Sequence, residues 1–473
     1  MEGGVHRLGV FRPSGGFLAA CARVGGKFDM SSGSPRIWVE INDFMRMFDW
    51  AITPTGIGRV QMEIVLRLAV NHPDRVALCR IGRTVDEIAF IEPDRVRRLI
   101  EQNNFPSAGS PAKLAMIRLR QTLRVLERRA RARLIPDDPT AFARQVKRGD
   151  ILVNFGASWE HRQYGAKIRE LKRRHGLRFA LLVHDVLPIS HPEFVSPQHL
   201  PNFMKWFLEM GRTWDMVLTP SVASAEAVRR ALVEHGMTIP PIRPIPFGAG
   251  FKASPSARAA APVSGQPYVL FVSTIEIRKN HILMVRIWEE LLRRHGAAAV
   301  PALVFVGKFG WEIDGLKQHL AATENLDGKI VIANTLSDAE VAKAYDNCLF
   351  TVFPSFCEGW GLPVTESLAH GKLCVASNVT SIPEAGGRFA DYFNPNDFES
   401  ALGLVERAIF DESYRASREF EIRSAFVRQS WEDCAKAVIE ILTLEASQVR
   451  VTSLDDACSF PERTVSPLYP GQA

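Results

Sequence analysis

Residues 353–378 read FPSFCEGWGLPVTESLAHGKLCVASN. The apolar run that starts at 349 reads as a buried strand stopping at Pro354, and a loop carrying Glu358, Gly359, Trp360 and Gly361 follows. After Leu362, Pro363 sits where a first helical residue would, its fixed φ and missing N–H suiting that place, and opens a helix over 364–370. Residues 373–376 then read as the next strand. Strand, glycine-bearing loop, helix and strand in such short order predict a parallel, doubly wound sheet. The same stretch carries chemistry. Gly359 and Gly361 let the backbone approach a ligand closely, and the free N–H groups at a helix start favour a phosphate. Glu358 and Glu366, eight positions apart, flank that helix start. Carboxylates are poor neighbours for phosphate, so they must address another part of the same ligand. Sugar hydroxyls, which donate hydrogen bonds, meet that need.

The alternation extends both ways from this segment. Upstream, strand-like runs at 37–41, 151–154, 179–183 and 216–220 alternate with helical patterns at 60–69, 164–175, 203–212 and 223–235. A Pro-, Ala- and Ser-rich stretch at 252–267 (KASPSARAAAPVSGQP) interrupts them, and a second series runs through 268–272, 303–306, 330–332, 349–353 and 373–376. The expected fold class is α/β, with two doubly wound, Rossmann-like parallel-sheet lobes facing across a cleft and the ligand where the carboxyl ends of both sheets meet. The expected organisation is a disordered extension at 1–34, a first lobe at 35–251, a linker at 252–267, a second lobe at 268–430, a C-terminal helix at 431–447 crossing back to the first lobe, and a tail at 448–473.

Three more segments point into that cleft. LFVSTIEIRKNH, at 270–281, ends a strand and places Arg278, Lys279 and Asn280 at the start of an amphipathic helix that reaches about His295, with Ile282, Val285, Trp288 and Leu292 inward. Cations at that end oppose the helix dipole, a conflict that a bound diphosphate would resolve; a solvated surface pair is the other reading. TPTGIGR, at 53–59, lies between a strand and a helix and supplies Gly56, Gly58 and Arg59. Gln61 replaces the third glycine of G-x-G-x-x-G, which counts against a dehydrogenase. Finally, His184 leaves a strand's carboxyl end toward the cleft, with Asp185 beside it and Pro188, Pro192 and Glu193 downstream. Asp185 either orients His184 or meets an acceptor.

Together these motifs resemble the retaining, nucleotide-sugar-dependent glycosyltransferases of family four, which have the two-lobed GT-B fold. Their E-x7-E pattern matches Glu358 and Glu366 inside PSFCEGWGLPVTESLAHGK. GDILVNFGASWEH from Gly149, VGKFGW from Val306, SIPEAGG from Ser381 and YFNPND from Tyr392 spread the resemblance over about 36–445. It implies that Lys279, with Arg278, binds the donor diphosphate, although Thr274 stands where the family often has an arginine. It further implies that Gly56, Gly58 and Arg59 face the donor phosphates, that Glu358 holds sugar hydroxyls, that Glu366 holds the ribose, and that Gly359, Trp360, Gly361, Leu362 and Pro363 cradle the nucleotide sugar. His184 is assigned by the same resemblance to the donor sugar or the catalytic centre, so the catalytic candidates are Glu358, His184 and Lys279. The chain looks most like bacterial mannosyltransferases of surface polysaccharide, implying mannose from GDP-mannose and a saccharide acceptor, free or lipid-linked. No D-x-D motif stands where a diphosphate would need a metal, so neither metal nor cofactor is expected. A UDP- or ADP-sugar donor, a non-catalytic nucleotide-sugar sensor and a nucleotide-sugar epimerase are the alternatives.

The bulk properties agree with two α/β lobes. The 473 residues are 46% hydrophobic and 23% charged, without an apolar run of 18, which excludes a small module, wholesale disorder and a spanning helix. Seven cysteines lack C-x-x-C spacing and point to a reducing cytoplasm. The net charge of +6 is matched by residues 118–133, RLRQTLRVLERRARAR, where seven arginines from Arg118 to Arg133 face the single Glu127. With Leu119, Leu123, Val125 and Leu126 on one side, this segment is expected to be a helix lying on an anionic membrane surface at the inner face, or simply a solvated helix docked by its leucines. It lacks interleaved aromatics, so nucleic acid is not an expected partner. Either Met1 or Met30 serves as a start in this reading.

Overall fold

Runs such as YVLFV and ALVFV, apolar without alternation, suit strands covered on both faces, and they become the centre of a sheet. The computed structural model describes residues 34–50, 56–82, 84–102, 140–161, 163–250 and 265–455. The first sheet comprises β1 (Ile37–Glu40), β2 (Val76–Ile81), β3 (Ile88–Ile91), β4 (Ile151–Asn154), β5 (Arg178–Leu182), β6 (Met216–Thr219) and β7 (Ile242–Pro244), in the order β3-β2-β1-β4-β5-β6-β7. The second comprises β8 (Tyr268–Val272), β9 (Ala302–Val306), β10 (Ile330–Ala333), β11 (Thr351–Phe353), β12 (Cys374–Ser377) and β13 (Asp391–Phe393), in the order β10-β9-β8-β11-β12-β13. The second sheet is parallel throughout, with Leu270 level with Val304 on one side and Thr351 on the other. In both sheets the strand order reverses beside the first strand, between β1 and β4 and between β8 and β11. A crevice opens at such a reversal, outside the carboxyl ends of the strands. The chain is thus a GT-B fold of two α/β lobes.

Eight helices matter below: α1 (Asn42–Trp50), α2 (Gly56–Asn71), α3 (Tyr164–His175), α4 (Val222–Glu234), α5 (His281–His295), α6 (Asp338–Asn347), α7 (Leu362–Ala369) and α8 (Trp431–Asp455). Alternation along β1 sends Trp38 to one face of the first sheet, among Phe142, Phe179 and Phe207, and Ile37 and Val39 to the other, among Phe44, Ile64 and Phe155. That second face is completed by α8, which buries Trp431, Cys434, Val438 and Leu442 there. The second lobe has its main core around Phe271, Trp288, Phe305 and Phe353.

The structure departs from the sequence expectation at several points. β3 runs antiparallel to β2, pairing Leu78 with Ile91, so the first sheet carries one reversed edge strand. Gly56, Gly58 and Arg59 lie in the first turn of α2 and not in a loop before it, with Gly58 buried there. α5 starts only after a 3-10 turn, Ile277–Lys279, and its inward face is Met284, Val285, Ile287, Trp288 and Leu291; Ile282 and Leu292 are half-buried at the margin. α7 opens at Leu362, one residue ahead of Pro363. α8 continues to Asp455, past 447. The basic stretch from Arg118 to Arg133, residues 1–33, Thr53 to Thr55, 252–264 and 456–473 lie outside the described residues. Among the described residues no helix is long and apolar enough to cross a membrane, and Cys79, Cys348, Cys357, Cys374 and Cys434 are free, buried thiols.

Candidate active site

β8 and β11 end side by side at the reversal of the second sheet, so the loops after them meet. Residues distant in sequence become partners: Lys279 Nζ lies 2.5 Å from Glu358 Oε1, 79 positions on, and Arg278 Nη1 2.8 Å from Glu358 Oε2. Arg278 also donates to the Cys357 carbonyl at 2.6 Å and to Glu276 at 2.9 Å. Two cations and two carboxylates thus balance in a nearly dry corner. Burial pushes the Glu358 carboxyl up, but Arg278 and Lys279 together outweigh it and hold it at about 2. Burial pushes Lys279 down, aided by its cationic neighbour Arg278. The loop itself is pinned from behind: Glu358 N–H donates to Thr380 Oγ1 at 2.9 Å, and Ser381 Oγ lies 2.9 Å and 2.8 Å from the carbonyls of Glu358 and Trp360.

Glu366 sits on α7 itself, buried. Tyr345 of α6 donates to its Oε2 at 3.0 Å, and Arg59 reaches its Oε1 at 3.2 Å from the first lobe while also pairing with Asp338 at 2.6 Å. Burial raises the Glu366 carboxyl above its usual range even against Arg59. Arg59 therefore links the two lobes through Glu366 and Asp338. Trp360 and Leu362, expected to cradle the nucleotide sugar, pack against the apolar core of the first lobe. The buried indole N–H of Trp360 has no partner among the described residues.

The first lobe closes over this loop at Gly359. A methyl group added to Gly359 would stand 2.2 Å from the His184 carbonyl oxygen, so only a glycine permits the approach. Ser221 and Ser224, at the start of α4, both donate to the Gly359 carbonyl, at 2.8 and 2.9 Å. Gly361, at φ 117, takes the left-handed conformation that turns the chain into α7. His184 is 6% exposed and its Nε2 lies 2.9 Å from the Phe155 carbonyl, so Nε2 carries the proton and Nδ1 is left as an acceptor. Burial pulls the ring down to about 4, which keeps it neutral. Asp185 accepts from the Leu187 N–H at 3.1 Å and so shapes the local turn; burial raises its carboxyl.

The structure thus brings Glu358, Lys279 and Arg278 into one cluster, Glu366 and Arg59 into a second, and Gly359 against His184. Sequence reasoning missed Tyr345, Asp338, Ser221, Ser224 and Glu384. Of these only Glu384 stood inside a quoted motif, SIPEAGG, and its carboxylate caps α4 across the cleft by accepting from Val222 and Ala223 N–H, each at 2.7 Å. Among the described residues no group of three or more His, Cys, Asp or Glu is placed to share a metal ion.

Comparison with known proteins bears on the fold and on the second lobe. Residues 255–419 match the family described as glycosyl transferases group 1, and residues 124–243 the family described as glucosyltransferase 3-like, N-terminal domain. O-antigen chain mannosyltransferase B of Escherichia coli is 24% identical over 408 residues, covering 82% of this chain and 96% of the relative. Serotype-specific mannosyltransferase WbdA, also from Escherichia coli, is 26% identical over 247 residues, which are 49% of this chain and 30% of that relative. Among solved structures, HepE from Anabaena in complex with UDP and glucose superposes with a TM-score of 0.55 at 16% identity, over 86% of this chain and 99% of that one. Sucrose-phosphate synthase from Thermosynechococcus elongatus gives 0.53 at 15%, over 89% and 100%. The chain carries a glycosyl transferases group 1 domain in its second lobe, within a GT-B fold.

Proposed function

We propose that the chain is a retaining glycosyltransferase that moves a hexose from a nucleotide sugar, with GDP-mannose as the donor, to a hydroxyl of a growing surface saccharide. The transferase class rests on the group 1 domain, and the mannosyl donor is supported by the likeness to two mannosyltransferases. The observation that carries the reading is Glu358 held between Lys279 and Arg278 at the reversal of the second sheet, against the first lobe.

Breaking the anomeric C–O bond puts negative charge on the departing diphosphate, and preorganised cations lower that barrier most. Lys279 and Arg278 are such cations, already desolvated and held in place by Glu358. A diphosphate competes with Glu358 for them. As they turn to phosphate, Glu358 is left to accept hydrogen bonds from sugar hydroxyls. Glu366, positioned by Tyr345, accepts from the ribose, and the neutral His184 offers Nδ1 to a sugar hydroxyl. In the proposed route the acceptor oxygen attacks the anomeric carbon from the face that the diphosphate leaves. The bond to the diphosphate breaks, the glycosidic bond forms with retained configuration, and the acceptor O–H proton passes to the leaving phosphate oxygen. No metal enters this scheme.

The test is to incubate the protein with GDP-mannose, UDP-glucose and ADP-glucose, with and without EDTA, and to follow nucleotide release. Release from GDP-mannose that EDTA does not reduce is expected, with the anomeric configuration of the product retained by NMR. Lys279→Ala should lower turnover by about 10²–10³, the effect of losing one preorganised donor. Release from another nucleotide sugar alone changes the donor. No release from any of them, or full turnover in a folded Lys279→Ala protein, overturns the reading.

A further inference from the structure

Glu358 stands in the loop after β11, and the neighbouring strand β12 ends at Ser377, so the turn that follows β12 lies against that loop. Thr380 occupies this turn. Its φ is 50°, Ser381 follows at φ −87°, and Ile382 N–H closes the turn on the Val379 carbonyl at 3.1 Å. A turn with φ positive at its first central residue and negative at its second takes Gly, Asn or Asp there. A β-branched side chain in the left-handed region is crowded by its own backbone, and among the described residues Thr380 is the only β-branched one with a positive φ. It is also exposed, so burial in a core does not offset the strain. A glycine would fit the turn without strain and without loss of core packing. What the threonine supplies is its hydroxyl oxygen, which accepts from the Glu358 N–H at 2.9 Å.

The use of that oxygen follows from what holds Glu358 before and after a donor arrives. In the free protein Lys279 and Arg278 grip the carboxylate, Arg278 also donates to the Cys357 carbonyl at 2.6 Å, and the hydroxyls of Thr380 and Ser381 hold the backbone. In the proposed reaction both cations turn to the diphosphate, which takes away the grip on the carboxylate and the contact to Cys357 together. Phe356 N–H on the Arg278 carbonyl at 2.9 Å and the two hydroxyls are left. Ser381 Oγ is shared between the carbonyls of Glu358 and Trp360, so it steadies the loop beyond Glu358 as much as Glu358 itself. The Glu358 N–H has Thr380 Oγ1 as its acceptor. Strain at a functional residue persists where the surroundings enforce it, and here the closed turn enforces it beside the carboxylate that has just lost its cations.

We propose that Thr380 is a positioning residue for the transfer: its left-handed backbone is kept under strain so that Oγ1 fixes the Glu358 backbone, and through it the carboxylate, while Lys279 and Arg278 are engaged by the diphosphate. This rests on the transferase reading, in which Glu358 receives the sugar hydroxyls. The contribution of Thr380 belongs to the stage at which the sugar is present and is absent from the binding of the nucleoside diphosphate alone.

The test compares the full-length parent with Thr380→Gly, Thr380→Ala and Thr380→Ser. Three quantities are measured: kcat with GDP-mannose, or with whichever nucleotide sugar the parent turns over; affinity for the matching nucleoside diphosphate by calorimetry; and the melting temperature. Thr380→Gly releases the strain and removes the hydroxyl, so its melting temperature should stand within about 1–2 °C of the parent or above it. Its kcat should nevertheless fall about 10–100-fold, the scale of loss from a misplaced group, with diphosphate affinity held within about twofold. Thr380→Ala should lose the same turnover. Thr380→Ser keeps the oxygen without the branch and should return kcat to within about twofold of the parent. A glycine variant that melts more than about 5 °C below the parent, or that loses diphosphate affinity along with turnover, marks a purely structural residue and overturns the proposal. A serine variant as slow as the alanine variant also overturns it. If the parent turns over no nucleotide sugar, the transferase reading fails and this proposal falls with it; if the parent is active and the glycine and alanine variants match its kcat, this proposal alone fails.

Discussion

His184 stands at about 4 because burial disfavours its charged ring, and the hydrogen bond to the Phe155 carbonyl recovers only part of that. Its folded value lies below the unfolded 6.5, so the unfolded chain binds the extra proton first. Stability contributed by the neutral ring is present above 6.5 and is lost as pH falls from 6.5 toward 4, by about 3 kcal/mol at the lower end. His281, buried beside Phe271 and pulled down to about 3, acts in the same direction. Glu366 and Asp185 have raised folded values, so their contribution runs the other way and falls as pH rises. His184→Gln should therefore flatten the fall in denaturation free energy between pH 6.5 and 4, measured by urea titration at each pH. An unchanged slope would show that the ring is not the buried neutral group described. The histidine was legible in the sequence as the end of a strand; that its ring is satisfied by a carbonyl 29 positions earlier was not, since β4 and β5 had first to be paired.

The strand–loop–helix from β11 to α7 works through its glycines. Gly359 accepts the first lobe at a distance that no side chain allows, and the Ser221 and Ser224 hydroxyls at the start of α4 clasp its carbonyl. Gly359→Ala should leave GDP binding to the second lobe near the parent value and lower turnover about 100-fold, because a shift of about 1 Å between donor and acceptor sides suffices for that loss. Equal losses in GDP affinity and turnover would place Gly359 in the donor site alone. The element itself was readable, since an apolar run, two glycines and Pro363 each signal one boundary. What Gly359 faces was not, because lobe packing decides it. The TPTGIGR segment shows the converse failure. Glycines at 56 and 58 read as loop by local propensity, yet α2 begins at Gly56, with Gly58 buried in its first turn, where tertiary context overrides that propensity. α8 packs Trp431 and Val438 into the core of the first lobe.

The two lobes meet through polar contacts, through the apolar contacts of Trp360, Leu362 and Phe356 with the first lobe, and through α8, and these differ in how easily they give way. α8 is built into the first core, with Trp431 against Phe247 and the backbone of Gly248, so it does not open without unfolding that lobe. The cleft contacts are different. Arg59 with Glu366 and Asp338, Glu384 on the N–H groups of α4, and Trp311 on the Phe194 carbonyl at 3.0 Å each join one lobe to the other without entering a core. In the proposed reaction a donor passes between the lobes to reach Lys279, so these contacts are expected to break and re-form in each cycle, and each should be weak singly. Glu384 is exposed, and its hydrogen bonds to α4 are aided by the helix dipole and weakened by salt. Glu384→Ala should therefore raise the radius of gyration of the unliganded protein in small-angle scattering while leaving the melting temperature within about 1–2 °C, since no core residue changes. Salt at about 1 M, where the Debye length is about 3 Å, should expand the parent toward the variant and leave the variant unmoved. If the variant scatters like the parent at low salt, Glu384 merely caps α4, and the lobes are held together by Arg59 and the Gly359 clasp.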